Sequence, residues 1–181
     1  MKKTLLSLIK YSLFPALLLV IGKILGVYFV ASMFRMNVEF SMNDYNIFFF
    51  KASVSASQLL TLSSYSDIFM FLTIVLGMSF VLFRALVLHD SHISSNTVFK
   101  LAKYNLLDLI GTSFELYHSG IIWLLFTWIS TVLIYINCSK GITYVWVLFI
   151  AVVFSIFFSI IFARDLISEI NLTNDESKNR L

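Results

Sequence analysis

Residues 142–163 have the sequence ITYVWVLFIAVVFSIFFSIIFA, a run of 22 residues without a charge. As an α-helix this run would be about 33 Å long, enough to cross a hydrocarbon core of about 30 Å. Small residues recur at every fourth position and therefore share one helix face; they are Ala151, Ser155, Ser159 and Ala163. Such a face lets a second membrane helix pack closely. The run therefore predicts a transmembrane helix with one packed face.

Three further, mostly apolar runs precede it, at 13–34, 68–88 and 117–136; in the third, continuous apolar residues begin only at Ile121, so its helix is expected to extend N-terminally to cross the bilayer. The chain is 59% hydrophobic and 13% charged, whereas soluble domains have about 45–50% apolar and 25% charged residues. We therefore expect an all-α, polytopic integral membrane protein, with a four-helix membrane domain at 1–170 and a flexible tail at 171–181. Asp67 directly precedes the second run and is expected to cap its helix.

The first run carries a lysine, Lys23, about 15 Å from either end of the predicted helix. A charge near the middle of a membrane needs a polar partner or a wet cavity, and Glu115 is one candidate for an ion pair with Lys23. Gly22 and Gly26 flank Lys23 in a GxxxG step, which allows close helix packing. The small-residue face of the fourth span is their expected partner.

Two connections are long enough to have structure of their own. At 35–66, the alternating segment 38–42 and the apolar segment 47–50 flank a turn, which predicts a small β-hairpin. Residues 58–62 fit an interfacial helix equally well. At 101–119, polar residues recur every three or four positions, which predicts an amphipathic helix at the membrane interface.

The distribution of Lys and Arg predicts the orientation of the four spans. Nine of these residues lie on the side of both termini: Lys2, Lys3, Lys10, Arg84, Lys100, Lys103, Arg164, Lys178 and Arg180. Arg35, Lys51 and Lys140 lie on the opposite side. Because basic residues accumulate in cytoplasmic loops, both termini and the amphipathic helix are expected in the cytoplasm, with 35–66 as a structured external loop. The expected location is the plasma or inner membrane.

One polar cluster is a candidate metal site on the cytoplasmic side. It consists of His89, His92, Asp108, Glu115 and His118. Glu115 and His118 have the ExxH spacing that places two ligands on one helix face, and the mixed set suits iron, manganese or zinc. Bundle di-iron sites use this step twice, however, and it occurs here once. The simpler interpretation is that these residues form only the polar face of the amphipathic helix and bind no cofactor.

Other chemistries lack their motifs. The chain has no Gly-rich phosphate loop and no GxSxG elbow, and its basic residues form no nucleic-acid patch. The single cysteine, Cys138, excludes an internal disulfide. Two functions remain. The first is a non-catalytic subunit, assembly factor or scaffold that contacts membrane lipid and other membrane proteins or a second copy. The second is a membrane enzyme or transporter that uses the His/carboxylate cluster.

Overall fold

The computed structural model describes residues 2–36, 38–40, 50–52, 55–88, 93–110 and 112–179. Their elements, in order, are α1 (Lys2–Met33), β1 (Val38–Phe40), β2 (Phe50–Ala52), α2 (Ala56–Val87), α3 (Ser95–Lys103), a 3-10 turn (Leu107–Leu109), α4 (Ser113–Ser139) and α5 (Val145–Asn179). Apart from the two three-residue strands, the described elements are helical.

Four of these helices are long and apolar enough to cross a membrane. The segments that meet this condition are Ser12–Met33, Ala56–Val87, Phe114–Ser139 and Val145–Asn171. The prediction of four long apolar helices is thereby confirmed. The helix of α5 also continues to Asn179, through most of the tail for which the sequence predicted flexibility.

The second long helix begins at Ala56, twelve residues before its predicted start at 68. Ser55 is its N-cap, and Ser55 and Gln58 form a capping box in which each side chain bonds to the backbone N–H of the other residue. This arrangement satisfies N–H groups that a helix start leaves free. The expected capping role of Asp67 is therefore wrong, and Asp67 lies inside α2.

The interval predicted as one amphipathic helix contains two separate helices. The first, α3, ends at Lys103, and Asn105 follows with a positive φ of 54°, which a continuous helix does not permit. The second, α4, starts anew at Ser113, where the Thr112 side chain accepts a hydrogen bond from the Glu115 N–H. The polar residues of 101–119 consequently do not share one helix face.

The connection between α1 and α2 contains an antiparallel strand pair, as expected, but its second strand lies at Phe50–Ala52 and not at 47–50. β1 and β2 are antiparallel, with Val38 opposite Ala52 and Phe40 opposite Phe50. The second strand thus begins where the expected apolar segment 47–50 ends. The turn at 41–49 lies outside the described residues.

Helix α2 is the centre of the bundle and packs against α1, α4 and α5. Its fully buried Met70, Ile74 and Met78 form a core with Ile134 of α4 and Val147 of α5.

The glycine face of α1 packs on α2, and the expected packing against α5 is wrong. A side chain added at Gly22 would meet Thr73, and one added at Gly26 would meet the backbone of Ser66. Both contacts are with α2, so this face of α1 is turned towards α2.

Candidate functional site

Lys23 of α1 is buried, with 4% of its surface exposed. Its Nζ donates to Asp67 Oδ1 at 2.5 Å and to Ser66 Oγ at 2.8 Å, and it lies 3.4 Å from the Ser63 carbonyl oxygen. All three acceptors belong to neighbouring turns of α2. The ammonium group therefore has polar partners in place of water, which a buried charge requires.

The Asp67 carboxylate is fully buried and has donors from three parts of the chain. Asn137 Nδ2 lies 3.1 Å from each carboxylate oxygen, and Thr143 Oγ1 donates to Oδ2 at 2.6 Å. With Lys23 on Oδ1, these contacts make four interactions, about the full acceptor capacity of a carboxylate. The cluster of Lys23, Asp67, Asn137 and Thr143 is called the charge cluster below.

Hydroxyl groups of α2 extend the charge cluster to the start of α5. Because Thr143 gives its proton to Asp67, the Ser63 hydroxyl is the donor in the 3.2 Å contact between Ser63 and Thr143. The Tyr144 N–H donates to Ser64 Oγ at 2.9 Å. The connection between α4 and α5 is thus bonded to α2 through the side chains of Ser63, Ser64 and Asp67.

The charge cluster lies at the level of the α4–α5 turn. Asn137 directly follows the apolar run of α4, and the helix α4 ends two residues later at Ser139. Beyond the level of the charge cluster, α1 continues from Lys23 to Met33, and α2 extends from Asp67 back to Ala56. These two helices therefore project roughly 10 Å beyond the α4–α5 turn. Seen from α1 alone, Lys23 had been expected near the middle of the membrane. Relative to α4, it lies near one end of the bundle.

A second, smaller core fills the projecting part of α1 and α2. It consists of Val27, Val30 and Ala31 of α1 with Leu62 of α2. The charge cluster therefore separates a two-helix part from a four-helix part of the molecule.

The ion pair between Lys23 and Glu115, considered from the sequence, is not formed. Glu115 is exposed in the first turn of α4. It lies 22 residues, or about 33 Å of helix, before Asn137 at the charge cluster. Lys23 and Glu115 are therefore near opposite ends of the bundle.

The structure describes only part of the candidate metal site. His89, His92 and the side chain of Asp108 lie outside the described residues. Glu115 is exposed, and the His118 ring is half-buried and stacked on Phe114 at a centroid distance of 5.8 Å. Within the described ranges, no three His, Cys, Asp or Glu side chains come together as metal ligands. The five-residue site stays a prediction.

The small-residue face of α5 packs against α4. Ala151 and Ser155 are buried, and the Ser155 hydroxyl lies 2.7 Å from the Thr131 hydroxyl of α4. Trp128 Nε1 donates to Ser159 Oγ at 3.1 Å. Ala163 at the end of the face is exposed. Ser155 and Ser159 thus lie where α5 meets α4, and Ala151 is buried in the core of the bundle.

Sequence reasoning found neither Asp67 as the partner of Lys23 nor Asn137 and Thr143 as the donors to Asp67. The available signal was the Ser55-x-x-Gln58 capping pattern, which is visible in the sequence. A helix started at that pattern would have placed Asp67 three turns inside an apolar helix, as a buried acid in need of a cation.

Comparison with models of known protein families, with curated proteins and with solved structures yields no match.

Proposed function

We propose that this chain is a small, non-catalytic integral membrane protein that serves as a subunit, assembly factor or scaffold of a membrane complex. The observation that supports this proposal is the saturation of the charge cluster. Lys23 and Asp67 bond to each other, and the remaining sites of Asp67 are occupied by Asn137 and Thr143. An enzyme or transporter needs polar groups with capacity left for a substrate or ion, whereas these groups hold helices together.

The surface of α4 that faces away from the bundle has a concavity that a partner helix could occupy. A shallow apolar concavity of about 560 Å³ runs along α4, lined by Ile121, Leu124, Leu125, Trp128, Ile129, Val132 and Leu133. Large side chains of a partner helix would fill it through van der Waals packing, which drives helix association in membranes. The proposed partner is another membrane protein or a second copy of this chain.

The proposed location is the plasma or inner membrane, with both termini in the cytoplasm. The nine-to-three distribution of basic residues supports this orientation. It places α3 on the cytoplasmic side and the α4–α5 turn on the outer side.

Site-specific photo-crosslinking in native membranes tests the proposal. A photoreactive residue replaces Ile129 in the concavity, and the matched control replaces Leu76, which is 67% exposed on α2. We expect a discrete protein adduct from position 129 and only lipid adducts from position 76. An adduct of twice the chain mass indicates a second copy, and any other discrete mass indicates a different partner. Lipid adducts alone at both positions would contradict the scaffold role.

The alternative function makes a different prediction for the same protein. If the His/carboxylate cluster is an active site, the purified protein carries stoichiometric iron, manganese or zinc, and His118→Ala loses it. Elemental analysis of both proteins distinguishes the two functions. We expect no stoichiometric metal in either.

A further inference from the structure

We propose that α3 and the residues after it form a docking surface for the anionic phospholipid head groups of the membrane in which the protein resides. The surface consists of Phe99, Lys100, Lys103, Tyr104 and Leu107. This inference rests on the proposed membrane location and does not depend on the scaffold role.

The helix α3 has little packing within the described chain. It has nine residues and none of them is buried, whereas isolated helices shorter than about 12–15 residues are marginal in water. Its ends are capped, by the Ser94 side chain that accepts from the Thr97 N–H and by backbone bonds from Tyr104 and Leu106 to Leu101, but these caps bury no apolar surface. A surface that covers its apolar side would supply the missing stabilisation.

The residues of α3 divide into two faces. At 3.6 residues per turn, Val98, Phe99, Leu101 and Ala102 cover one half, and Asn96, Thr97, Lys100 and Lys103 the other. Val98 and Leu101 are half-buried, while Phe99 is 72% exposed. On the helical wheel Lys103 is next to Phe99, so a bilayer that accepts the ring brings the ammonium group to its head groups.

The charge of this region is complementary to an acidic lipid surface. α3 contains two lysines and no acidic residue. Both lysines are exposed, and neither has an ion-pair partner in the part of the chain that the structure describes. Lysines close to an anionic leaflet each strengthen association about fivefold. Without such a surface, these charges would remain solvated beside exposed aromatic rings.

The position of the segment brings it to the level of the membrane surface. Arg84, in the last turn of α2, donates from Nε to the Leu109 carbonyl at 2.9 Å. This bond holds the 3-10 turn beside the end of an apolar helix. Tyr104, Leu106 and Leu107, which lead into that turn, are all exposed. The exposed apolar side chains therefore lie where a bilayer would end.

A fluorescence experiment on the full-length protein tests this surface. In a Cys138→Ser background, Ala102→Cys carries an environment-sensitive dye, and the protein is reconstituted into vesicles that contain brominated phosphatidylcholine. One set of vesicles is otherwise phosphatidylcholine, and the other also contains phosphatidylserine. Quenching of the dye by the brominated chains reports the docked fraction.

We expect stronger quenching in the phosphatidylserine vesicles and a loss of this difference in 1 M salt, which screens charges beyond about 3 Å. The variant Lys100→Gln/Lys103→Gln should lower the docking equilibrium constant about 25-fold in those vesicles. Lys140→Gln, an exposed lysine on the α4–α5 turn, is the control and should leave it unchanged.

Three results would overturn the proposal. Quenching could be equal in both lipid mixtures, or the lysine double variant could behave like Lys140→Gln. The dye could also be shielded from water in native membranes but unquenched in either vesicle, which would indicate a protein partner for α3. The crosslinking at position 129 does not depend on lipid docking by α3. If the lipid-docking proposal fails, the scaffold role is still tested by that crosslinking.

Discussion

Lys23 supplies the positive half of a buried ion pair, and the cost of removing it depends on the carboxylate that remains. In Lys23→Met, Asp67 keeps Asn137 and Thr143 but loses its cation. Because breaking one half of a buried pair costs about 3–5 kcal/mol, we expect the free energy of unfolding to fall by that amount. Reversible denaturation from mixed micelles measures the change.

The double variant Lys23→Met/Asp67→Asn separates the ion pair from the burial of each residue. The double variant removes both charges. We expect its loss in free energy of unfolding to be smaller, by about 0.5–3 kcal/mol, than the sum of the losses in Lys23→Met and Asp67→Asn. Lys140→Met changes an exposed lysine and should alter stability by less than about 0.5 kcal/mol. Additive single losses would show that Lys23 and Asp67 are not coupled.

At the residue scale, the sequence predicted that Lys23 has a partner but not which one. A lysine among apolar residues indicates that a polar partner is needed, since an unpaired charge is costly in a membrane. Asp67 gave a misleading signal, because an acidic residue next to an apolar run also fits an N-cap. The decisive contact joins positions 44 residues apart, and local patterns contain no information about such a distance.

At the scale of elements, the contact between α1 and α2 depends on Gly26. A Cβ at this position would lie against the Ser66 backbone and the Phe69 Cβ, which cannot move aside as a flexible side chain can. We expect Gly26→Ala to lower the free energy of unfolding by about 1–3 kcal/mol through overpacking. Leu25→Ala, at a neighbouring residue that is 57% exposed, is the control. A larger loss in the control would contradict this assignment of the interface.

The contact between α4 and α5 includes the hydroxyl pair of Thr131 and Ser155. Thr131→Val keeps the shape of the side chain and removes its bond to Ser155 together with its bond to the Thr127 carbonyl of the same helix. Interhelical hydrogen bonds in membranes contribute about 0.6 kcal/mol and at most about 1.7 kcal/mol, so we expect a loss in that range on thermal or detergent unfolding. The control is Ser139→Ala, whose hydroxyl bonds only to its own helix at Tyr135. Equal losses would show that the interhelical bond contributes nothing.

The sequence predicted the long helices well, since their apolar runs exceed what any other element needs. It failed at 101–119, where the three-to-four-residue spacing of polar side chains is compatible with one continuous helix. The break depends on the positive φ of Asn105 and on the Thr112 cap, which are local events that periodicity does not reveal. It also failed to identify which helix faces meet, because small residues on α1 and α5 are compatible with several partners.

For the molecule as a whole, the proposed orientation predicts which surface reagents can reach. In a Cys138→Ser background, Lys140→Cys and Asn96→Cys place single thiols at exposed positions on the α4–α5 turn and on α3. We expect a membrane-impermeant maleimide to label the first in intact cells and the second only after lysis. The reverse pattern would place both termini outside.

The order in which the chain is synthesised gives the charge cluster a further consequence. At about 5–20 residues per second, Asp67 follows Lys23 by about 2–9 s, because 44 residues separate them. Asn137 and Thr143 come 70 and 76 residues after Asp67, which adds about 4–15 s. The nascent chain therefore completes this cluster in stages. The α1–α2 hairpin neutralises its own charge first, and the later helices join an intermediate whose carboxylate still has acceptor sites for them.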